Sequence, residues 1–150
     1  MSSALITLHS LLRYAVLITL LMALVRHISG WAGKKEYSEA DKKSALFALI
    51  SCHSQLLLGI ILYFTSSTVK LALADMSGAM KNPELRFWAI EHSIMMLLGI
   101  ILITIGYSTA KRMTDSIPRF KRIAVLYGLG FLIIMASIPW PWATIARGWI

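Results

Sequence analysis

The sequence predicts an all-α integral membrane protein, a four-helix bundle in which successive helices run up, down, up and down. Composition is the first reason: 57% of the 150 residues are hydrophobic and the mean hydropathy is +0.70, more apolar than an ordinary soluble domain. Pattern is the second, because four apolar stretches approach or exceed the roughly 20 residues that cross about 30 Å of hydrocarbon. They run from about 4 to 28, 45 to 65, 87 to 107 and 123 to 142. We therefore expect a single transmembrane domain and no soluble one.

The first two stretches have boundaries that the sequence indicates. No basic residue precedes the first stretch and no small-residue cleavage site follows it, so it is predicted to be a retained helix rather than a signal peptide. Gly30 and Gly33 are expected to loosen the chain after this helix. In the polar segment that follows, Ser38 or Asp41 is expected to start the second helix.

The last two stretches are bounded by prolines. Asn82, Pro83 and Glu84 are typical of the N-cap, first turn and first-turn carboxylate of a third helix, and residues 69–85 before it are predicted to form a loop. The fourth stretch ends at the Pro-Trp-Pro-Trp segment 139–142, because prolines interrupt a helix and indoles prefer the membrane interface. Trp149 is assigned to the same interfacial belt.

Basic residues divide the loops into two groups. Nine lie in the loops after the first and third helices: Lys34, Lys35, Lys42, Lys43, Lys111, Arg112, Arg119, Lys121 and Arg122. Three lie in the middle loop and the C-terminal tail: Lys70, Lys81 and Arg147. The positive-inside rule therefore predicts a multi-pass protein of the bacterial cytoplasmic (inner) membrane with both termini on the periplasmic side. The net charge of +8 then reflects topology in a lipid bilayer rather than nucleic-acid binding.

Three of the four histidines lie inside apolar stretches and are each followed by serine: His9, His53 and His92. An imidazole in hydrocarbon needs a partner, so such a histidine indicates function. His9 and His92 each lie about five residues into helices of the same direction, roughly 8 Å below the outer boundary at 1.5 Å per residue. They can hold one planar ligand from opposite sides, whereas His53 lies deeper and faces away from the polar side of its helix. His27 is expected to extend to the inner interface.

Two charged residues share the layer of His9 and His92. Arg13 is one turn below His9, and Glu91 precedes His92. Two interpretations stay open: an ion pair between them that sets helix register, or Arg13 on a haem propionate and Glu91 on a ligand histidine.

Two glycines, Gly99 and Gly106, share the helical stripe of His92. Small residues let either a neighbouring helix or a flat macrocycle approach the backbone closely, so both interpretations stay open.

Haem iron is the first candidate ligand for His9 and His92. The sequence has no C-x-x-C-H attachment motif, so the haem would be non-covalent haem b. A structural or proton-relay role and a non-haem metal at the same two histidines are the alternatives. The sequence has no nucleophile constellation or phosphate-binding glycine loop, which favours an electron carrier or accessory subunit over a free-standing enzyme.

Several stretches resemble a family of small four-helix bacterial membrane proteins labelled cytochrome b-like, common in Bacteroidetes. They are LHSLLRY, CHSQLLLGIILYF, LRFWAIEHSIMMLLGIILITIG, ASIPWPW and the GWAGKK loop, so the resemblance covers the whole chain. It implies four helices and haem binding. The positions that it carries over are His9, Arg13, His53, Gln55, Glu91 and His92.

Three hypotheses for function follow. The leading one is a membrane b-type haem protein for electron transfer, linked to quinone or to a larger respiratory complex as an accessory subunit. The second is a non-catalytic helical subunit or assembly factor of a membrane complex. The third is a metal or haem handling protein that uses His9, His53, Glu91 and His92. A homo-oligomer is compatible with each.

Overall fold

The computed structural model describes residues 3–143 and 145, all of whose regular elements are helices. In chain order these are α1 (Ser3–Ala32), α2 (Glu39–Thr65), α3 (Ser67–Ala74), α4 (Met76–Lys81), α5 (Pro83–Arg86), a π-helical turn (Phe87–Glu91), α6 (His92–Ala110) and α7 (Ser116–Ser137). Arg147 and Trp149 lie outside the described residues.

Four helices are long and apolar enough to cross a membrane: Ala4–Ala32, Glu39–Thr65, Pro83–Ala110 and Ser116–Ser137. The predicted number of long apolar helices is therefore confirmed for the described residues. The first three extend beyond the predicted stretches, whereas the fourth begins earlier than predicted, at Ser116, and ends at Ser137, before the two prolines. Polar turns at Glu39 and Ser116 are included because backbone hydrogen bonding continues past the hydrophobic segment.

The end of α1 is a Schellman turn whose left-handed residue is Lys34, with φ of 48°. The Lys35 N–H donates to Gly30 O at 3.0 Å and the Lys34 N–H donates to Trp31 O at 3.2 Å, which is the paired pattern of this motif. The expectation that Gly30 loosens the chain is wrong. Gly30 is helical, and a Cβ at this position would overlap the ring of Phe120 on α7, so glycine is needed there for close packing.

Of the two expected starts of α2, Ser38 is the N-cap, and it forms a capping box with Asp41. The Asp41 carboxylate accepts from the Ser38 N–H at 2.9 Å, and the Ser38 hydroxyl accepts from the Asp41 N–H at 3.3 Å. The other carboxylate oxygen accepts from Arg26 Nε at 2.8 Å, although Asp41 is only 6% exposed. One side chain therefore caps α2 and joins it to the end of α1.

Replacing Asp41 by alanine is expected to lower the free energy of unfolding by about 1–3 kcal/mol, since a cap and a hydrogen bond to a charged partner are both lost. The measurement is equilibrium unfolding by SDS from dodecylmaltoside micelles. Glu39→Ala is the matched control, because Glu39 is in the same turn and its carboxylate pairs with Lys42 at 3.3 Å on the surface. Equal losses for the two variants would contradict the structural role of Asp41.

The connection between the second and third spanning helices is helical, so the prediction of a loop for residues 69–85 is wrong. Ser66 caps α3 and Asp75 caps α4 through their side chains, because short polar residues satisfy the first free N–H groups of a helix. Ala72 and Ala79 pack with Ala89 in a small apolar cluster. This packing holds α3 and α4 against the start of the third spanning helix.

The third spanning helix begins as predicted and then changes pitch. Asn82 Oδ1 accepts from the Glu84 and Leu85 N–H groups, and Pro83 occupies the first turn. At Phe87–Glu91 the helix widens into a π-helical turn, in which the His92 N–H donates to Phe87 O. Such turns insert one residue and change the direction of the side chains that follow.

Glycines bring α6 and α7 into backbone contact. A Cβ on Gly99 would lie 3.1 Å from Gly130 O, and a Cβ on Gly130 would lie 2.8 Å from Gly99 O. Gly106 packs on side chains of α7, where a Cβ would lie 3.1 Å from Leu126 Cβ and 3.3 Å from Tyr127 Cδ1. Of the two interpretations of Gly99 and Gly106, the structure shows helix packing, so the assignment of these glycines to a cofactor is corrected.

The end of α7 lacks two N–H donors because residues 139 and 141 are prolines. In a continuous helix these donors would bond to Met135 O and Ser137 O, respectively. Side chains take their place: Trp140 Nε1 donates to Met135 O at 3.0 Å, and His92 Nδ1 lies 2.9 Å from Ser137 O. The prolines therefore end the helix and create a carbonyl that α6 satisfies.

The spanning helices form a closed set of neighbours, in which α1 packs on α2 and α7, and α6 packs on α7 and α2. Tyr127 crosses the centre and donates its hydroxyl to Ala45 O at 2.8 Å, joining α7 to α2. The direction of each helix relative to a membrane stays a prediction.

Candidate functional site

A cavity of about 440 Å³ lies between the helices, within the range of about 300–1,000 Å³ typical of cofactor sites. It is lined by the start of α1, the end of α2, α3, the π-helical turn, the start of α6 and the residues around the end of α7. Most of its lining is apolar. The polar side chains in it include His9, Ser10, Arg13, Gln55 and His92.

His92 is oriented by α7. A carbonyl oxygen only accepts hydrogen bonds, so the contact with Ser137 O places the hydrogen of the neutral ring on Nδ1. The lone pair is then on Nε2. The ring also packs on Phe87 and Trp88, each with a centroid distance of 5.6 Å. A histidine held through Nδ1 by a backbone carbonyl is the usual arrangement of a metal-ligating imidazole.

His9 lies against the backbone of α2. Its Cε1 would be 3.4 Å from a Cβ on Gly59, and its main-chain oxygen accepts from Gln55 Nε2 at 2.9 Å. Gly59 and Gln55 therefore set how closely α1 approaches α2 at this depth. His9 and His92 come from diagonally placed helices and line one cavity.

Arg13 is one turn further along α1 and lines the same cavity. Its guanidinium donates to the Tyr14 hydroxyl at 3.2 Å and lies 6.0 Å from the centroid of the Trp140 ring. These aromatic contacts hold a positive charge beside the two histidines.

Gln55 and His53 have opposite positions on α2. Gln55 lines the cavity, and its Oε1 is buried without a hydrogen-bond partner among the described residues. His53 does not line the cavity, and its Nδ1 donates to Leu49 O of its own helix at 2.9 Å. This position of His53 agrees with its expected direction, away from the polar side of α2.

Glu91 also lies away from the cavity. Its carboxylate pairs with Arg86 at 2.6 Å on the exposed side of the helix. The structure therefore shows neither the Arg13–Glu91 ion pair nor a contact from Glu91 to the imidazole of His92. Adjacent residues of a helix point roughly 100° apart, so Glu91 and His92 face different sides of it.

Sequence reasoning missed several cavity residues, among them Trp88 and Tyr63. Trp88 is four positions before His92, a helical spacing that could have indicated a shared face. Tyr63 donates to Ala89 O at 3.1 Å and joins α2 to the π-helical turn. No sequence signal indicates that contact.

A second polar cluster lies at the other end of the helices, around His27. The expectation that His27 extends to the interface is wrong, since its side chain is 0% exposed. Nδ1 donates to Ala23 O at 2.7 Å, and Nε2 accepts from the Tyr37 hydroxyl at 3.3 Å. The Phe120 ring packs at a centroid distance of 5.7 Å. Tyr37, in the loop after α1, covers the His27 ring. The side chain is therefore buried instead of extending to the membrane interface.

Tyr37 is itself held in place by α7. Its N–H donates to the Ser116 hydroxyl at 3.0 Å, and the Arg119 guanidinium lies 3.9 Å from its ring centroid. Burial raises the pKa of Tyr37 to about 12, so the phenol keeps the hydrogen that it donates to His27.

The described residues contain no group of three or more His, Cys, Asp and Glu side chains able to hold a metal ion. In particular, His53 and Glu91 are not gathered with His9 and His92. The mixed four-residue site of the third hypothesis is therefore not assembled in the described structure.

Comparisons with protein-family models, with curated proteins and with solved structures found no match. The class of protein is therefore inferred from the helices themselves. With four helices of sufficient length and hydropathy, the chain has the architecture of a multi-pass, all-helical membrane protein.

Proposed function

We propose that the protein is a b-type haem protein of the bacterial inner membrane and that the cavity between His9 and His92 holds the haem. The observation that carries the proposal is the meeting of two imidazoles and one guanidinium, from diagonally placed helices, on one largely apolar cavity. The resemblance of the sequence to a cytochrome b-like family supports the same ligand.

The residues present fit such a cofactor. His92 carries its hydrogen on Nδ1, so the ring nitrogen that would bind the haem iron is Nε2, which carries the lone pair. His9 is the candidate ligand from the opposite helix, and Arg13 is the candidate partner of a propionate. Apolar side chains such as Leu17, Leu56 and Ile100 would enclose the macrocycle.

Bound haem would supply one-electron redox chemistry, for which a quinone or a neighbouring respiratory subunit is the proposed partner. The chain's own contribution is to orient the ligands and exclude water. The carbonyl of Ser137 sets the tautomer and orientation of His92. The positive charge of Arg13 would favour the anionic propionates of a haem.

Haem loading is expected to give the visible spectrum of six-coordinate, low-spin haem. The full-length protein is purified in dodecylmaltoside, loaded with haemin, and measured oxidised and reduced. His9→Ala and His92→Ala are each expected to abolish the low-spin α band, because one axial ligand is lost. His53→Ala is the matched control and should keep the wild-type spectrum, since His53 lies outside the cavity.

Folding is checked by circular dichroism for each variant, since His92→Ala also removes the partner of Ser137 O. His9→Ala leaves that hydrogen bond in place and is the sharper test. A colourless wild-type protein after loading, or an unchanged spectrum in the His9→Ala/His92→Ala double variant, would contradict haem binding in this cavity.

The bond between His92 and Ser137 O also favours a second candidate function, that of a non-catalytic helical subunit. In that case His92 serves only to satisfy a carbonyl deprived of its donor by Pro141. The loaded protein would then stay colourless, whereas His92→Ala would still lower its stability.

A further inference from the structure

The second groove of the protein lies near the α6–α7 connection, far along the helices from the His9–His92 cavity. Its volume is about 300 Å³, and its lining combines apolar and basic residues. The lining consists of Met113, Pro118, Lys121, Arg122, Val125 and Leu126.

The apolar part of the groove continues along the outside of α7. Val125, Leu129 and Leu132 are 42%, 48% and 64% exposed. Their spacing of four and three residues places them on one helix face. In a helix that crosses a membrane, such a face contacts lipid chains, so the groove has an apolar track leading from it.

None of the described residues that line the groove is acidic. Among the described residues, the ion pairs at this end join Arg26 to Asp41 and Lys42 to Glu39. Lys121 and Arg122 are exposed and form none of the ion pairs within the described part of the chain. The Lys121 ammonium lies 5.7 Å from the centroid of the Trp31 ring, which limits its range of positions.

We propose that this groove binds an anionic phospholipid, whose phosphate lies between Lys121 and Arg122 and whose acyl chain lies on Val125 and Leu126. Charge complementarity favours this occupant over a neutral lipid, since two adjacent cations would otherwise be uncompensated at the membrane surface. The arrangement is that of a basic pocket beside an apolar helix face, which is the usual recognition site for an acidic head group.

The test uses native mass spectrometry of the full-length protein in neutral detergent, titrated with phosphatidylglycerol or with phosphatidylcholine of the same acyl chains. Wild-type protein is expected to bind phosphatidylglycerol more tightly. Each cation near an anionic head group contributes about fivefold in affinity, so Lys121→Gln/Arg122→Gln should weaken phosphatidylglycerol binding by about 25-fold.

Lys70→Gln/Lys81→Gln is the matched control. It removes two exposed basic residues from α3 and α4 and changes the net charge equally. Its phosphatidylglycerol affinity should remain that of the wild type. Val125→Trp, which fills the groove and leaves both cations, should weaken lipid binding as well.

Three results would overturn the proposal. Equal binding of phosphatidylcholine would indicate recognition of the acyl chain alone. Displacement of phosphatidylglycerol by millimolar inorganic phosphate, which has no acyl chain, would indicate a site for a free anion. Unchanged phosphatidylglycerol affinity in Lys121→Gln/Arg122→Gln would place the lipid elsewhere.

Discussion

Replacing His27 by alanine is expected to lower the free energy of unfolding by about 2–4 kcal/mol, because the change leaves a cavity and removes both hydrogen bonds of a buried ring. The ring is fully enclosed, and its nitrogens join Ala23 O to the Tyr37 hydroxyl. Without it, the phenol of Tyr37 is left without an acceptor at a half-buried site. The measurement is equilibrium unfolding by SDS in dodecylmaltoside micelles.

His53→Ala is the control for this prediction. His53 is also a membrane-span histidine with Nδ1 bonded to a carbonyl four residues earlier, but it is only partly buried. Its loss should cost less than about 1 kcal/mol. If His27→Ala were no more destabilising than His53→Ala, the His27 cluster would not be a structural centre of the bundle.

Replacing Gly130 by alanine is expected to destabilise the protein by about 1–3 kcal/mol, because the contact between α6 and α7 has no room for a methyl group. The new Cβ would lie 2.8 Å from Gly99 O and 2.9 Å from Ile103 Cγ1. A backbone oxygen cannot rotate away, so the two helices must separate. SDS unfolding measures the loss.

Gly128→Ala, two residues earlier on α7, is the matched control. The nearest atom to a Cβ there is Leu24 Cδ2 at 3.8 Å, an ordinary contact. Alanine should stabilise this position by up to about 1 kcal/mol, since glycine is the poorer helix former. The same sign of change in both variants would contradict the packing assigned to Gly130.

Local signals along the chain predicted local structure well. The Ser38 capping box and the Asn82-Pro83-Glu84 start of the third spanning helix depend on residues within four positions of one another, so the sequence contains the whole interaction. The short helices α3 and α4 were not predicted. Their stability depends on the packing of Ala72 and Ala79 against Ala89, which the sequence alone does not bring together.

The helical period correctly placed His92 and Gly99 on one face of α6, but it did not indicate what each residue contacts. His92 and Gly99 share a face of α6, and both contact α7. At the level of Gly99 the two helices touch, because Gly130 faces it. At the level of His92 the ring spans to Ser137 O and borders the cavity. The side of a helix on which a residue lies follows from the 3.6-residue period of that helix. The distance between two helices depends on the side chains of both.

The all-helical class, the four apolar stretches and the candidate histidines follow from the sequence, because hydropathy and helical period are properties of one segment at a time. Which of those histidines line the same cavity follows from the packing of the helices. His9 and His92 border one cavity, His53 lies outside it, and His27 is buried beneath Tyr37. The reason is that these positions depend on contacts between segments that are far apart in the sequence. His92 depends on the Ser137 carbonyl, which Pro141 leaves without its helical donor, and His27 depends on Tyr37, which α7 holds in place.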